Sequence, residues 1–153
     1  MDKKKTASAL IAENRRARHD YQILEDYEAG IELKGTEVKS LRQNHSSLAD
    51  AYAYVKGGEV FIAGWHIAPY EQGNRYNVDP LRDRRLLLHR REIIRIEQKI
   101  QRQGLTLIPL KAYFSRSRVK IKLGLAQGKK SYDKREDLKK RDIERAMRQS
   151  VKR

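Results

Sequence analysis

The chain has 153 residues, 35 of them Lys or Arg against 20 Asp or Glu, for a net charge of +15. A cationic excess of this size repels itself within a compact domain and calls for an extended anion as partner, nucleic acid first and an acidic membrane surface second. The absence of cysteine excludes a disulfide framework, a thiolate metal site and a Cys nucleophile, and no apolar run approaches the roughly 20 residues that cross a bilayer.

The opening "MDKKKTASALIAENRR" is basic, but its only apolar stretch is "ALIA", too short for a signal-peptide core, so a soluble cytoplasmic protein is expected. Three parts are expected: a basic N-terminal arm over 1–19, a strand-rich body over 20–128 and a basic tail over 129–153. "YQILEDYEAGIELKG" reads as a strand, a break at Glu28–Gly30 and a short second strand, because Tyr21 and Ile23, then Ile31 and Leu33, alternate on either side. In "TEVKSLR", Val38 and Leu41 stand three apart among polar residues, which predicts about two helical turns. "AYAYVKGGEVFIAGW" predicts a tight hairpin, since Gly57 and Gly58 can both take positive φ between two β-rich runs. "HIAPYEQGNRYNVDPLRDR" has no period and predicts a long loop from His66 to Arg84. Next, Ile93, Ile96 and Ile100 fall at i, i+3 and i+7, predicting a helix that Gly104 stops. "LTLIPLKAYF" and "RVKIKLGL" are strands; Val119, Ile121 and Leu123 face a core, so Lys120 and Lys122 share the wet face. Pro109 predicts an edge position or a bulge. The sum is a mainly β protein with short helices, an OB-fold-like antiparallel β-barrel with a basic C-terminal tail.

Enzyme motifs are poorly matched. "GLAQGKKS" approximates a phosphate loop, but only three residues separate Gly124 from Gly128, a lysine precedes Ser131, and no packed helix can follow. His19, His45, His66 and His89 share no metal-ligand spacing, and no nucleophile context of the G-x-S-x-G kind occurs. No catalytic residue, metal site, cofactor or small-molecule substrate is therefore expected. The basic segments carry more. "NRRARH" gathers Asn14, Arg15, Arg16, Arg18 and His19, and arginine forks both pair with phosphates and stack on exposed bases. In "RDRRLLLHRR", three leucines lie between arginine clusters that include Arg84 and Arg85. Buried strand leucines are the plain reading, yet one exposed leucine could pack on an unstacked base.

The blocks "NRRARHDY", "YEAGIELKGTEVKSLR", "HIAPYEQGN", "DPLRDRRLLLHRREI" and "GLAQGKKSYDKR" together resemble the small protein B family, the SsrA-binding proteins of bacterial trans-translation. The resemblance runs from about Asn14 into the tail. It departs from the family at Asn44, where glycine is common, at Gln127, where a basic residue is common, and at Tyr132, a histidine in some members. It implies an OB-like barrel that grips the tRNA-like head of transfer-messenger RNA and escorts it to stalled ribosomes, elongation factor Tu accompanying the delivery. It also implies an RNA-binding face that uses Glu28, Leu87 and Lys120, with Asn14 and its neighbouring arginines at one end. Gly128 would be a hinge, and Lys129, Lys130, Tyr132, Asp133, Lys134 and Arg135 the start of a tail directed at the decoding centre and message channel of the small subunit. That tail carries eleven Lys/Arg and five Asp/Glu with few large apolar residues, which predicts disorder in the free protein. Ile143, Met147 and Val151 recur at i, i+4 and i+8, so it could become helical on the ribosome. The alternative reading is a structural ribosomal or rRNA-binding protein, also small, basic and tailed.

Overall fold

The computed structural model describes residues 9–71 and 77–128. The tail positions Lys129, Lys130, Tyr132, Asp133, Lys134 and Arg135 lie outside the described residues. In chain order the elements are β1 (Ala9–Glu13), α1 (Ala17–Asp20), β2 (Tyr21–Ile31), α2 (Gly35–Arg42), β3 (Ser46–Ser47), β4 (Tyr52–Lys56), β5 (Glu59–Ala63), β6 (His66–Ile67), β7 (Arg84–Leu87), α3 (Arg90–Gln103), β8 (Thr106–Ser115) and β9 (Arg118–Gly128). Seven strands make one sheet in the order β1-β8-β9-β2-β7-β5-β4, while β3 and β6 pair separately. Every pairing is antiparallel. The sheet curls until β4 lies against β8, which makes a nearly closed barrel of the kind the strand pattern predicts.

Alternation along the strands fills the barrel. Ile121, Leu123 and Leu125 of β9, Val60 and Ile62 of β5, and Ala29 of β2 are fully buried, together with Trp65 just after β5. Each large apolar side chain removed from water contributes about 1.5–3 kcal/mol. The helix α3 presses Ile96 into this core with Ile93 and Ile100 beside it, and ends at Gly104. Its spacing was legible in the sequence for the reason it works: i, i+3 and i+7 share one face. Gly57 and Gly58, at φ 60° and 75°, turn β4 into β5 as the sequence predicts.

Two expectations need correction, and a third narrows to one of its two alternatives. The N-terminal segment is no free arm over its described part, because Ala9–Glu13 forms β1 on the outer edge of β8. Past β1, the Asn14 N–H donates to the Leu110 carbonyl at 2.8 Å, and Ala17 is buried. The expected break at Glu28–Gly30 is absent: Glu28, Ala29 and Gly30 each keep a partner on β9. Glu28 and Gly30 there lie on the strand's outward face while Ala29 packs inward, and the irregularity lies earlier, where Leu24 is an extra residue between Ile23 and Glu25. Finally, β8 is interior, flanked by β1 and β9, so Pro109 marks a bulge and not an edge. Leu110 is the extra residue, packed over Gly124, where an added Cβ would meet it at 3.1 Å.

Short pairings organise the described parts of the long loop. Its start is β6, and Asn77 holds its middle by accepting from the Tyr70 N–H at 2.8 Å and donating to the Tyr70 carbonyl at 2.7 Å. Asn44 takes φ 60°, a left-handed conformation that asparagine tolerates.

Ion pairs from Arg95 and, at 3.8 Å, from Lys99 to Glu25 tie β2 to α3. Arg95 donates to both oxygens of Glu25, at 3.1 and 2.7 Å, and the Tyr27 hydroxyl donates to the same carboxylate. The Arg95 and Tyr27 donors hold Glu25 down to about 2, from an ordinary 4.5. A depressed carboxylate stabilises the fold above its unfolded value and loses that contribution as pH falls through its folded value. Arg95→Gln should therefore lower the denaturant midpoint at neutral pH. The gap to the unsubstituted protein should close between pH 4.5 and about 2, measured by urea titrations at several pH values.

Candidate nucleic-acid interface

The outer face of the sheet beside α3 and α2 carries the candidate site. On β2, Tyr27 and Ala29 turn inward, so Glu28 and Gly30 turn outward. Gly30 is paired with Leu87 of β7 on one side and with Lys120 of β9 on the other. It has no side chain to separate them; an added Cβ would meet the Leu87 Cβ at 3.3 Å. A groove of about 700 Å³ opens there, lined among others by Glu28, Gly30, Leu87, Arg118 and Lys120. Leu87 is 44% exposed, an unusual state for a strand leucine in a packed barrel. The groove thus offers an apolar surface for an unstacked base, the cations Arg118 and Lys120 for phosphate and the Glu28 carboxylate as acceptor for a base amino group or 2′-OH.

A second depression of about 260 Å³ is lined by Asn14, Arg15 and Arg18 with Lys111 and Lys122. Lys122 is the register partner of Glu28, so the two depressions adjoin on one face. Lys122 also stands 3.7 Å from Asp26. The fold therefore brings together Asn14, Arg15, Arg18, Glu28, Leu87, Lys120 and Lys122, contributed by segments far apart in the chain. Arg16 is exposed at the start of α1, and His19 lies 3.0 Å from Asp20; neither lines these two depressions. Gly128 closes β9 opposite Tyr21, with open space around it.

Arg84 is a correction. In β7 the alternation that sends Leu86 into the core sends Arg84 inward too, where its side chain is fully buried. It donates to Glu37 at 2.6 Å, to the Trp65 carbonyl at 2.7 Å and to the Pro80 carbonyl at 3.1 Å, and cannot meet RNA. Arg82 donates to the same Glu37 at 2.6 Å. Burial works to raise Glu37, but the donors from Arg82, the Lys34 N–H and Arg84 prevail and hold it below the ordinary carboxylate range. Arg85 does point outward, but its guanidinium bridges Glu32 and Glu59, which hold it strongly protonated.

Sequence reasoning missed Lys111, Tyr113 and Arg118. Lys111 and Tyr113 are the register partners of Lys122 and Lys120 across the β8–β9 hairpin, so all four share the outer face. The hairpin turns on Arg116 and Ser117 at φ 51° and 69°, positions that turn chemistry usually assigns to Asn or Gly. The alternation in "LKAYF" could have revealed the outward pair, but the Leu110 bulge breaks its phase with the preceding run.

In sequence and in structure the chain is similar to proteins of one family. The model of the SmpB protein family matches residues 11–153. The SsrA-binding protein of Acetivibrio thermocellus is 58% identical over 148 residues, covering 97% of this chain and 96% of the relative. That of Carboxydothermus hydrogenoformans is 55% identical over 143 residues, covering 94% and 96%. A solved chain described under "tmRNA-SmpB: a journey to the center of the bacterial ribosome" is similar with a TM-score of 0.64 and 56% identity, over 78% of this chain and 84% of that one.

Proposed function

Since the chain belongs to the SmpB protein family, we propose that it is an RNA-binding adaptor, which binds the tRNA-like domain of transfer-messenger RNA and delivers it to stalled ribosomes for trans-translation. The observation that carries this reading in the molecule is the groove. It assembles Glu28, Leu87 and Lys120 from three neighbouring strands around a glycine that leaves room for a nucleotide. Leu87 supports a base, Lys120 and Arg118 meet phosphate, and Glu28 discriminates among hydrogen-bond donors. Asn14, Arg15, Arg18, Lys111 and Lys122 extend the contact along the backbone of the same RNA. Arg16 and His19, outside both depressions, contribute at most through general charge. The tail from Lys129 leaves the barrel at Gly128 and is directed to the decoding centre and message channel, with elongation factor Tu carrying the complex in. The peptide chemistry belongs to the ribosome, and the adaptor works in the cytoplasm. Among the described residues, no helix is long and apolar enough to cross a membrane.

The test is competitive binding of the full chain to a transcript of the tRNA-like domain, with tRNA and rRNA fragments as competitors. Glu28→Ala, Leu87→Ala and Lys120→Ala should each weaken binding about tenfold with the fold intact. Lys120→Ala should also flatten the salt dependence by about one phosphate contact. Unchanged affinity in all three variants would remove the groove from the interface. Stronger competition by an rRNA fragment would favour a structural ribosomal protein instead.

A further inference from the structure

Glu28 is a carboxylate set among cations, with Lys122 directly opposite it and Lys120 opposite the neighbouring Gly30. Such a group would ordinarily collapse onto an ammonium, cancelling one charge needed for phosphate and turning its own oxygens away from a ligand. It does neither. Among the described residues its polar partner is the Tyr113 hydroxyl, which donates to Oε2, and no ion pair joins Glu28 to either lysine. Tyr113 stands on β8, two strands away, with β9 between. Its register partner is Lys120, whereas that of Glu28 is Lys122, so the phenol crosses β9 diagonally between the two lysines. The ring is 7% exposed, has Leu10 of β1 as its partner on the far side, and carries the Lys111 ammonium 5.7 Å from its centroid. Burial, then the bond to Glu28, pushes the phenol well above its ordinary value, so it remains a donor throughout the physiological range.

We propose that Tyr113 is a positioning residue for RNA recognition: its neutral donor holds Glu28 out of ion pairs, leaving Oε1 free to accept from RNA and Lys120 free to neutralise phosphate. The inference rests on the groove being the RNA-binding face. A neutral donor is the suitable partner here, because a cation would satisfy the carboxylate by charge and compete with the phosphates.

Tyr113→Phe keeps the packed ring and removes only the donor. Binding of the full-length variant to the tRNA-like transcript should weaken about tenfold, the scale of one hydrogen bond to a charged group. Released from Tyr113, Glu28 should pair with a β9 lysine, so the log–log salt slope should fall by about one contact, a readout that loss of packing alone would not move. Once Tyr113 is Phe, adding Glu28→Gln should restore the slope, since the amide cannot hold a lysine by charge. Tyr54→Phe serves as the control: it also breaks a tyrosine–carboxylate bond, to Asp83 at 2.5 Å, but outside the groove, and it should leave affinity and slope unchanged. If Glu28→Gln weakens binding while Tyr113→Phe leaves both affinity and slope intact, the positioning role is wrong and the groove stands. Equal losses in the Tyr113 and Tyr54 variants would also overturn it, as an effect of general destabilisation. If variants at Glu28, Leu87 and Lys120 are all silent, the groove reading falls and takes this role with it.

Discussion

Arg84→Ala should unfold the barrel at temperatures where the unsubstituted protein is intact, lowering Tm by about 10 °C or more in thermal scans followed by circular dichroism. Removing one partner of a buried ion pair costs about 3–5 kcal/mol, because the other charge is left without compensation in a dry site. Here Glu37 is only 3% exposed and would keep Arg82 as its one cationic partner beside the Lys34 N–H, while the Trp65 and Pro80 carbonyls would each lose the Arg84 donor. That is a large share of the 5–15 kcal/mol typical of a whole domain. Arg84→Lys should not rescue it, since one ammonium cannot reach a carboxylate and two carbonyls arranged for a planar fork. Below its Tm, the variant should bind RNA with nearly unchanged affinity, which separates a structural role from a contact role. A stable Arg84→Ala protein with lost RNA binding would reverse the assignment.

Deleting the chain after Gly128 should spare binding to the tRNA-like domain yet abolish tagging of stalled peptides in a reconstituted translation assay. The groove residues all precede this point, and Gly128 is the last residue of β9, so the deletion removes no strand of the sheet. It does remove eleven Lys/Arg, including Lys129, Lys130, Lys134 and Arg135 beside Tyr132 and Asp133. Nonspecific affinity for RNA at low salt should therefore fall, and the difference should vanish as salt rises. Prolines at Glu144 and Arg148 should reproduce the tagging loss without changing RNA affinity, if the segment acts as a helix on the ribosome. Full tagging by the truncated protein would leave the tail as a solvated charge run.

What could be read from the sequence was whatever one element decides alone. The α3 face, the Gly57–Gly58 hairpin and the wet side of β9 each follow from a local period or a turn residue. What could not be read depends on partners distant in the chain. Arg84 and Arg85 are adjacent arginines in one cluster, and only the phase of β7 against the core sends the first inward and the second outward. The strand β1 was hidden because "ALIAE" beside six basic residues or more reads as a basic arm until β8 supplies an edge for it. Glu28, Leu87 and Lys120 came through resemblance; their meeting around Gly30 comes from the register. Tyr113 came through neither, since its meaning lies in a contact across β9.

The pairing of the chain's beginning with its end sets when this surface can exist. Tyr113 and Glu28 are 85 residues apart in sequence, and β1 and β2 find their long partners only in β8 and β9, which are synthesised much later. Such non-local topology slows folding, because loops must close before the contacts that reward closure can form. As the chain leaves the ribosome, it passes through a long interval in which β2 has no neighbour on its β9 side. An incomplete copy, cut short before β9, has Glu28 and Leu87 but no Lys120, and so no groove. Truncated products of its own message therefore lack the groove and cannot hold RNA through it.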